Sequence, residues 1–361
     1  MMSVGKRYRI TLFGSSHGPE VGVTIEGPPA GTAIAVDRIQ ADLDRRRPVG
    51  RRLATKRQEE DRLIVDSGLA DGVANGQPIR MHVANEDVQR APYDRLRDTP
   101  RPGHADYPAR VRYGADADLS GGGIFSGRMT VGLVIAGAIA SQMLARRGIE
   151  IVSFTRDIGG VSAAVDEALP VEEIRRRRDR YEVACPESPA AGAMEESIER
   201  ARKDGDSLGG IVETRIFGCP VGLGEPFFDS IESAIAHLAF SVPAVKGIEF
   251  GAGFQAARMR GSAHNDAFAW EGNRVVTRTN NAGGILGGLA TGMPVVFRVV
   301  VKPTSSIARP QQTVNLVTHE AEELIVTGRH DPCIVPRAVV VLESVAACAI
   351  ADLAMEGGFL P

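Results

Sequence analysis

The sequence predicts one large α+β domain. Three observations carry that prediction. First, 361 residues with 43% hydrophobic content can bury a large core. Second, strand-like and helix-like stretches are interspersed along the whole chain. Third, no composition shift resembles a linker, and neither an internal repeat nor a low-complexity segment divides it.

The elements read as follows. Residues 7–13 form a strand that runs through Gly14 into the loop Ser15-Ser16-His17-Gly18, and 21–25 form a second strand. Asp37 as N-cap with Ile39 and Leu43 on one face predicts a helix whose last turn is Arg45-Arg46-Arg47, stopped by Pro48. Strands follow at 63–67 and 79–83. Pro92, Pro100, Pro102 and several glycines then mark a long irregular region through Gly123, a length of loop that is usually functional or disordered. Ser126 caps a long apolar helix to about Arg147, closed by Gly148, and its broad apolar face predicts burial on most sides. Beyond it come strands at 150–154 and 211–216, charged helices at 171–180 and 194–203, and a helix at 230–240. Strands at 275–278 and 295–301 flank a glycine-dense loop at 280–292, and an apolar helix fills 337–355.

Composition narrows the function classes. A net charge of −3 and a pI near 6.2 give no overall cationic excess to hold nucleic acid or a lipid surface, so anion binding must be local. Cys185, Cys219, Cys333 and Cys348 form no Cys-x-x-Cys pair and have no histidine at zinc spacing, which suits a reducing cytoplasm better than a disulfide framework or a metal site. The N-terminal MMSVGKRYRI lacks an apolar signal core, and the apolar run at 131–144 reads as too short and interrupted to span a bilayer.

Positive charge is dense between residues 45 and 62, where Arg45, Arg46, Arg47, Arg51, Arg52, Lys56, Arg57 and Arg62 are interrupted by Glu59, Glu60 and Asp61. Guanidinium forks pair bidentately with phosphate or carboxylate. The competing reading is a solvated face that compensates a helix dipole, but the proline and glycine framing holds these arginines on a turn. The equally basic 175–180 lies in a helix with Glu172, Glu173 and Asp179 and reads as surface. Two loop histidines have small neighbours that let a ligand approach: His17, before Gly18, and His104, in Arg101-Pro102-Gly103-His104-Ala105-Asp106, where Asp106 can orient the ring. Arg329-His330-Asp331 is a further polar triplet. The loop at 280–288 together with Lys302-Pro303-Thr304-Ser305-Ser306 offers backbone amides, a lysine and hydroxyls for a cofactor, although it matches neither a Walker motif nor a dinucleotide fingerprint.

Taken together, the strings FGSSHG (13–18), LDRRRP (43–48), RPGHADY (101–107), GGG with SGR (121–128), GDSLGG (205–210), GLGEPFFD (222–229), AVKGIEFG (244–251), NNAGGILGG (280–288), VKPTSSI (301–307) and GRHDPCIVPRA (328–338) resemble the chorismate synthase family across nearly the whole chain. The resemblance implies a β-α-β-α sandwich, with long central helices between antiparallel sheets, and a homotetramer. It implies 1,4-elimination of phosphate and a ring proton from 5-enolpyruvylshikimate 3-phosphate to give chorismate, the last common step toward aromatic amino acids. Reduced FMN is the implied cofactor and NADPH a candidate reductant. By the same resemblance His17 would serve the departing phosphate, His104 would protonate the reduced flavin, and Asp331 would relay the proton, with Ser16 and Ser126 assisting. Arg46, Arg52, Arg101, Arg128 and Arg329 would hold substrate or flavin. Arg46, Arg52, Ser126, Ala244, Gly287, Lys302, Pro303, Thr304, Ser305, Ser306 and Arg329 match flavin positions. Ile124, Phe125, Met129 and Pro243 depart from residues common in the family.

Two other functions compete. A flavin oxidoreductase would turn over NADPH without the shikimate-derived substrate. An RNA-binding protein would use the arginines between 45 and 62, but aromatics are only 5% of residues and no basic-aromatic platform is present.

Overall fold

The structure is a computed structural model that describes residues 2–47, 60–86, 95–114, 120–326, 328 and 330–361. Two antiparallel five-stranded sheets enclose a layer of helices. The first sheet runs Ser3–Val4, Arg9–Gly14, Glu20–Glu26, Ile79–Ala84, Ile64–Ser67 in spatial order. The second runs Val245–Phe250, Val295–Val301, Gly210–Phe217, Glu150–Ile158, Val161–Ser162. The two sheets' alternation differs for a physical reason. In Glu20–Glu26, Val21, Val23 and Ile25 are fully buried, while Glu20 and Glu26 meet solvent at the ends. In Gly210–Phe217, Val212 to Ile216 are buried on both faces, because helices cover one side and the 163–167 segment receives Arg215 on the other.

Helix Thr130–Ala145 packs on the first sheet and on helix Val335–Glu356, which packs in turn on the second sheet. Helices Val36–Arg46 and Ile231–Ala239 complete the inner layer, and Ser188–Lys203 packs against Glu150–Ile158 and Val161–Ser162. This is the β-α-β-α sandwich, with the two long helices at its centre. They sit close because residue 137 is a glycine: a Cβ there would lie 2.2 Å from Ser344 Cβ. Both helices are long and apolar enough to cross a membrane, the first counted as 127–145 with its leading turn. The expectation that 131–144 was too short is therefore corrected. The protein core buries 83% and 89% of their apolar windows, so their apolarity serves packing here.

Several boundaries shift. Ser126 caps a short 3-10 turn, Gly127–Met129, by accepting from Arg128 N, and the α-helix begins after it. Val36–Arg46 starts without a side-chain cap. The region expected to be irregular holds the helix Asp106–Tyr113, whose Pro108 falls in the first turn, where a missing N–H costs nothing. The strand Val245–Phe250 was not anticipated. Gly247 lies inside it at a register shift, a feature that weakens a strand pattern.

Candidate active site

The N-terminal ends of the two central helices open into one cavity of about 600 Å³. Arg46, Arg101, Arg128, Lys246, Lys302 and Arg337 line it, against Asp61 and Asp331, so six cations face two carboxylates. Leaving the histidines uncounted, the lining holds four more cations than carboxylates in a chain whose net charge is −3. Two helix N-termini add partial positive charge in the same direction.

Asp61 is the hub of one side. Its Oδ2 accepts from Arg46 Nη2 at 2.6 Å and its Oδ1 accepts from Arg128 Nη1. Arg128 is further braced by Nε to Asn85 Oδ1 at 2.9 Å and Nη2 to the Ala84 carbonyl at 3.2 Å, and Asn85 also ties the Ser15 and Gly18 carbonyls. Burial, with Arg337 and Arg128 nearby, lowers the Arg46 guanidinium to about 10, although Asp61 opposes the shift. Among the described residues Arg46 Nε has no hydrogen-bond partner. A buried donor of that kind beside an open cavity is suited to a ligand anion.

His104 is built into a second cluster. Its Nδ1 lies 2.5 Å from Asp106 Oδ1, at the start of helix Asp106–Tyr113. Arg101 donates Nε to Asp106 Oδ2 at 2.7 Å, Nη2 to Asp106 Oδ1 at 2.8 Å and Nη1 to Ser306 Oγ at 3.2 Å. Arg101 and His104 hold the Asp106 carboxyl well below the usual carboxylate range, overriding its burial. Arg101 is thus largely committed to orienting its neighbours. Across the cavity Lys302 Nζ donates to the Gly103 carbonyl at 2.7 Å, and burial with Lys246 nearby lowers its pKa. Asp331 Oδ2 is paired with Arg337 Nη1 at 2.5 Å, and its carbonyl accepts from Thr304 Oγ1 at 3.0 Å.

The cavity wall therefore gathers Arg46, Arg101, His104, Ser126, Arg128, Ala244, Lys302, Pro303, Thr304, Ser305, Ser306 and Asp331. Ser16 and His17 sit just behind it. The His17 ring lies against Gly121, a lining residue at φ 60 where any Cβ would stand 1.9 Å from His17 Cε1. A Cβ on Gly122, the next residue, would stand 3.5 Å from the His104 ring, so one glycine turn separates the two histidines. The structure does not bring Gly287 to this cavity. It occupies the hairpin turn between Ile285–Leu286 and Leu289–Ala290, beside the start of helix Ile231–Ala239, whereas Phe240 at that helix's other end lines the cavity. The helix, nine residues and about 13 Å long, runs from the hairpin toward Phe240. Arg52 and Arg329 lie outside the described residues.

Asp61, Lys246 and Arg337 were missed. Asp61 read as one of three acids breaking a basic run, and only its burial distinguishes it. Arg337 stands inside the matched string 328–338 but carried no signal of its own. Of the departures from the family pattern, Ile124, Phe125 and Pro243 line the cavity, whereas Met129 is buried and contributes nothing to its wall. The four cysteines are free and buried, and burial pushes the Cys219 thiol up to about 12, which leaves it unreactive.

The chain is similar to known proteins over nearly its whole length. A family model described as chorismate synthase matches residues 8–355. A chorismate synthase of Dehalococcoides mccartyi is 46% identical, covering 99% of this chain and 98% of that protein. One from Korarchaeum cryptofilum is 48% identical over 98% and 97% of the two chains. A crystal structure of chorismate synthase superposes with a TM-score of 0.78 at 27% identity, covering 98% of this chain and 93% of the other. The chain belongs to the chorismate synthase family of carbon–oxygen lyases.

Proposed function

We propose that the enzyme converts 5-enolpyruvylshikimate 3-phosphate to chorismate by 1,4-elimination, with reduced FMN bound in the same cavity. The carrying observation is a wall on which lining cations outnumber lining carboxylates and which presents His104, partly buried and paired with Asp106 behind it. A substrate with two carboxylates and a phosphate needs fixed cations once water is excluded. One C–O bond and one C–H bond break and a ring double bond forms, so no net oxidation occurs.

The residues present fit a flavin phosphate. Lys302, Thr304, Ser305 and Ser306 border a close approach at Gly103, where a Cβ would meet Ser305 at 3.5 Å and Lys302 Nζ at 3.7 Å. Lys302 to Ser306, Ser126 and Ala244 would hold the cofactor. Reduced FMN, when bound, would supply transient electron density and accept the ring proton. Arg46 and Arg128 grip substrate anions, and Arg101 keeps Asp106 and His104 aligned. His104, with Nδ1 held by Asp106 and Arg101 Nη2 standing 3.3 Å from Nε2, would deliver a proton to the cofactor. Asp331, fixed by Arg337, takes part in moving the ring proton. His17 and Ser16 reach the leaving phosphate past the Gly121 turn. Arg52 and Arg329 join the anion site by family resemblance alone, and Gly287 is left out of it.

The chain works as a single domain within a cytoplasmic homotetramer, without nucleic acid or membrane as partner. Exposed Phe227, Phe228 and Trp270 support an assembly larger than the monomer, and the four free buried cysteines suit a reducing compartment. Supplying the substrate with chemically reduced FMN under anaerobic conditions is expected to yield chorismate and phosphate in equal amounts. Absence of both overturns the reading. NADPH oxidation without that substrate would favour a flavin oxidoreductase instead.

A further inference from the structure

We infer that Asp61 is a positioning residue for the reaction: its carboxylate sets the separation and orientation of Arg46 and Arg128, so that the two guanidiniums meet the substrate's anionic groups together. This rests on the reading of the cavity as the substrate site. Asp61 is fully buried in its side chain, and each of its oxygens holds a different guanidinium, one from the end of helix Val36–Arg46 and one from the turn before helix Thr130–Ala145. Without that bridge two buried cations, with Arg337 nearby, would repel each other and separate.

The backbone is arranged to keep the carboxylate in place. Asp61 has φ 47, in the left-handed region that a non-glycine residue adopts only where its surroundings over-determine it. Gln40 supplies that determination from both sides: its Nε2 donates to the Asp61 carbonyl at 3.2 Å, and its Oε1 accepts from Leu63 N at 2.9 Å. The segment is thereby pinned to the same helix that carries Arg46. Through Asp61 the helix that carries Arg46 is joined to the turn that carries Arg128 at the cavity wall.

The test is Asp61→Asn, which keeps shape and loses charge, beside Asp61→Glu, which keeps charge and moves the carboxylate by about one bond length. Each is assayed with substrate and reduced FMN. Misplaced arginines should lower kcat roughly 10–10²-fold in both variants and leave KM within about threefold of wild type. Wild-type kcat in either variant, or a loss confined to KM, overturns the inference. If Asp61→Asn does not fold, Asp61→Glu decides on the same terms. If the wild-type enzyme does not turn over the substrate, the parent reading falls and crystal structures of the variants decide this one. Arg46 and Arg128 displaced from each other's wild-type spacing would support it, and unmoved guanidiniums would overturn it.

Discussion

Two carboxylates, one buried and one mostly so, each bridge a pair of arginines, and the pairs use adjacent residues of one helix. Asp61 joins Arg46 to Arg128, and Glu343 joins Arg45 to Arg178. Around Glu343 the charges close on themselves. Arg45 also meets Asp42 at 2.9 Å, Arg178 meets Asp179 at 2.9 Å and the Ser153 carbonyl at 2.7 Å, and Ser153 N donates back to Glu343. Arg45 and Arg178 hold Glu343 down to about 2 despite its burial. Around Asp61 the balance tips the other way, with Arg337 added to the cations and Arg46 lowered to about 10. A network whose charges are matched within the fold stabilises it. One left short of negative charge at the wall of a cavity is prepared for an anion.

If that contrast is right, variants beside the large cavity lose turnover and variants around Glu343 lose stability. The largest effects belong to the histidines: His17→Ala and His104→Ala should each slow kcat by roughly 10²–10⁴ if both act as general acids. Gly121→Ala should reproduce the His17 loss, since its Cβ would displace that ring. Steady-state rates check all three, and undiminished turnover in both histidine variants would remove the acid roles. Next, Glu343→Gln should cost about 3 kcal/mol in denaturant unfolding, because the buried Arg178 and the partly buried Arg45 lose a shared counter-charge. The sign with pH follows from its folded pKa of about 2 against an ordinary 4.5. The stability that Glu343 contributes is full above pH 4.5 and is lost as pH falls toward 2, so the variant's acid limb should be flatter. Unfolding midpoints from pH 7 to 2.5 measure this.

Arg46→Ala should reduce kcat/KM roughly 10²-fold, whereas Arg45→Ala should lower the melting temperature and leave kcat of the folded enzyme unchanged. Equal kinetic losses in the two would erase the distinction. The smallest effect is a rise of a few degrees in melting temperature on adding excess inorganic phosphate, through preferential binding to the native state. It should be present in wild type and absent in Arg46→Ala.

The sequence announced the elements that pack by periodicity: Val295–Val301 falls where the apolar run predicts it, and helix Val335–Glu356 adds two residues at its start and one at its end. The arginines were legible as types but not as neighbours. Arg178 illustrates why. In a run of four arginines, Arg176 and Arg177 pair with Glu173 at the surface as expected, but Arg178 is turned inward by helical spacing onto Glu343, 165 positions away. Its surface assignment is corrected on that ground. Local pattern cannot express such a pairing, nor the meeting of Asp61 with Arg128 across 67 positions. His104 with Asp106 was readable because the two lie within one turn of chain. Gly287 carried a cofactor role by resemblance alone, and its place at the far end of helix Ile231–Ala239 was invisible before folding.

The most direct measurement is a crystal structure of the enzyme with FMN and 5-enolpyruvylshikimate 3-phosphate. The expected result puts the substrate's anionic groups within hydrogen-bond reach of Arg46 and Arg128, with the flavin bordered by His104, Asp331 and Lys302. A substrate bound instead in the cavity of about 320 Å³ beside Arg45 and Arg178 would contradict it.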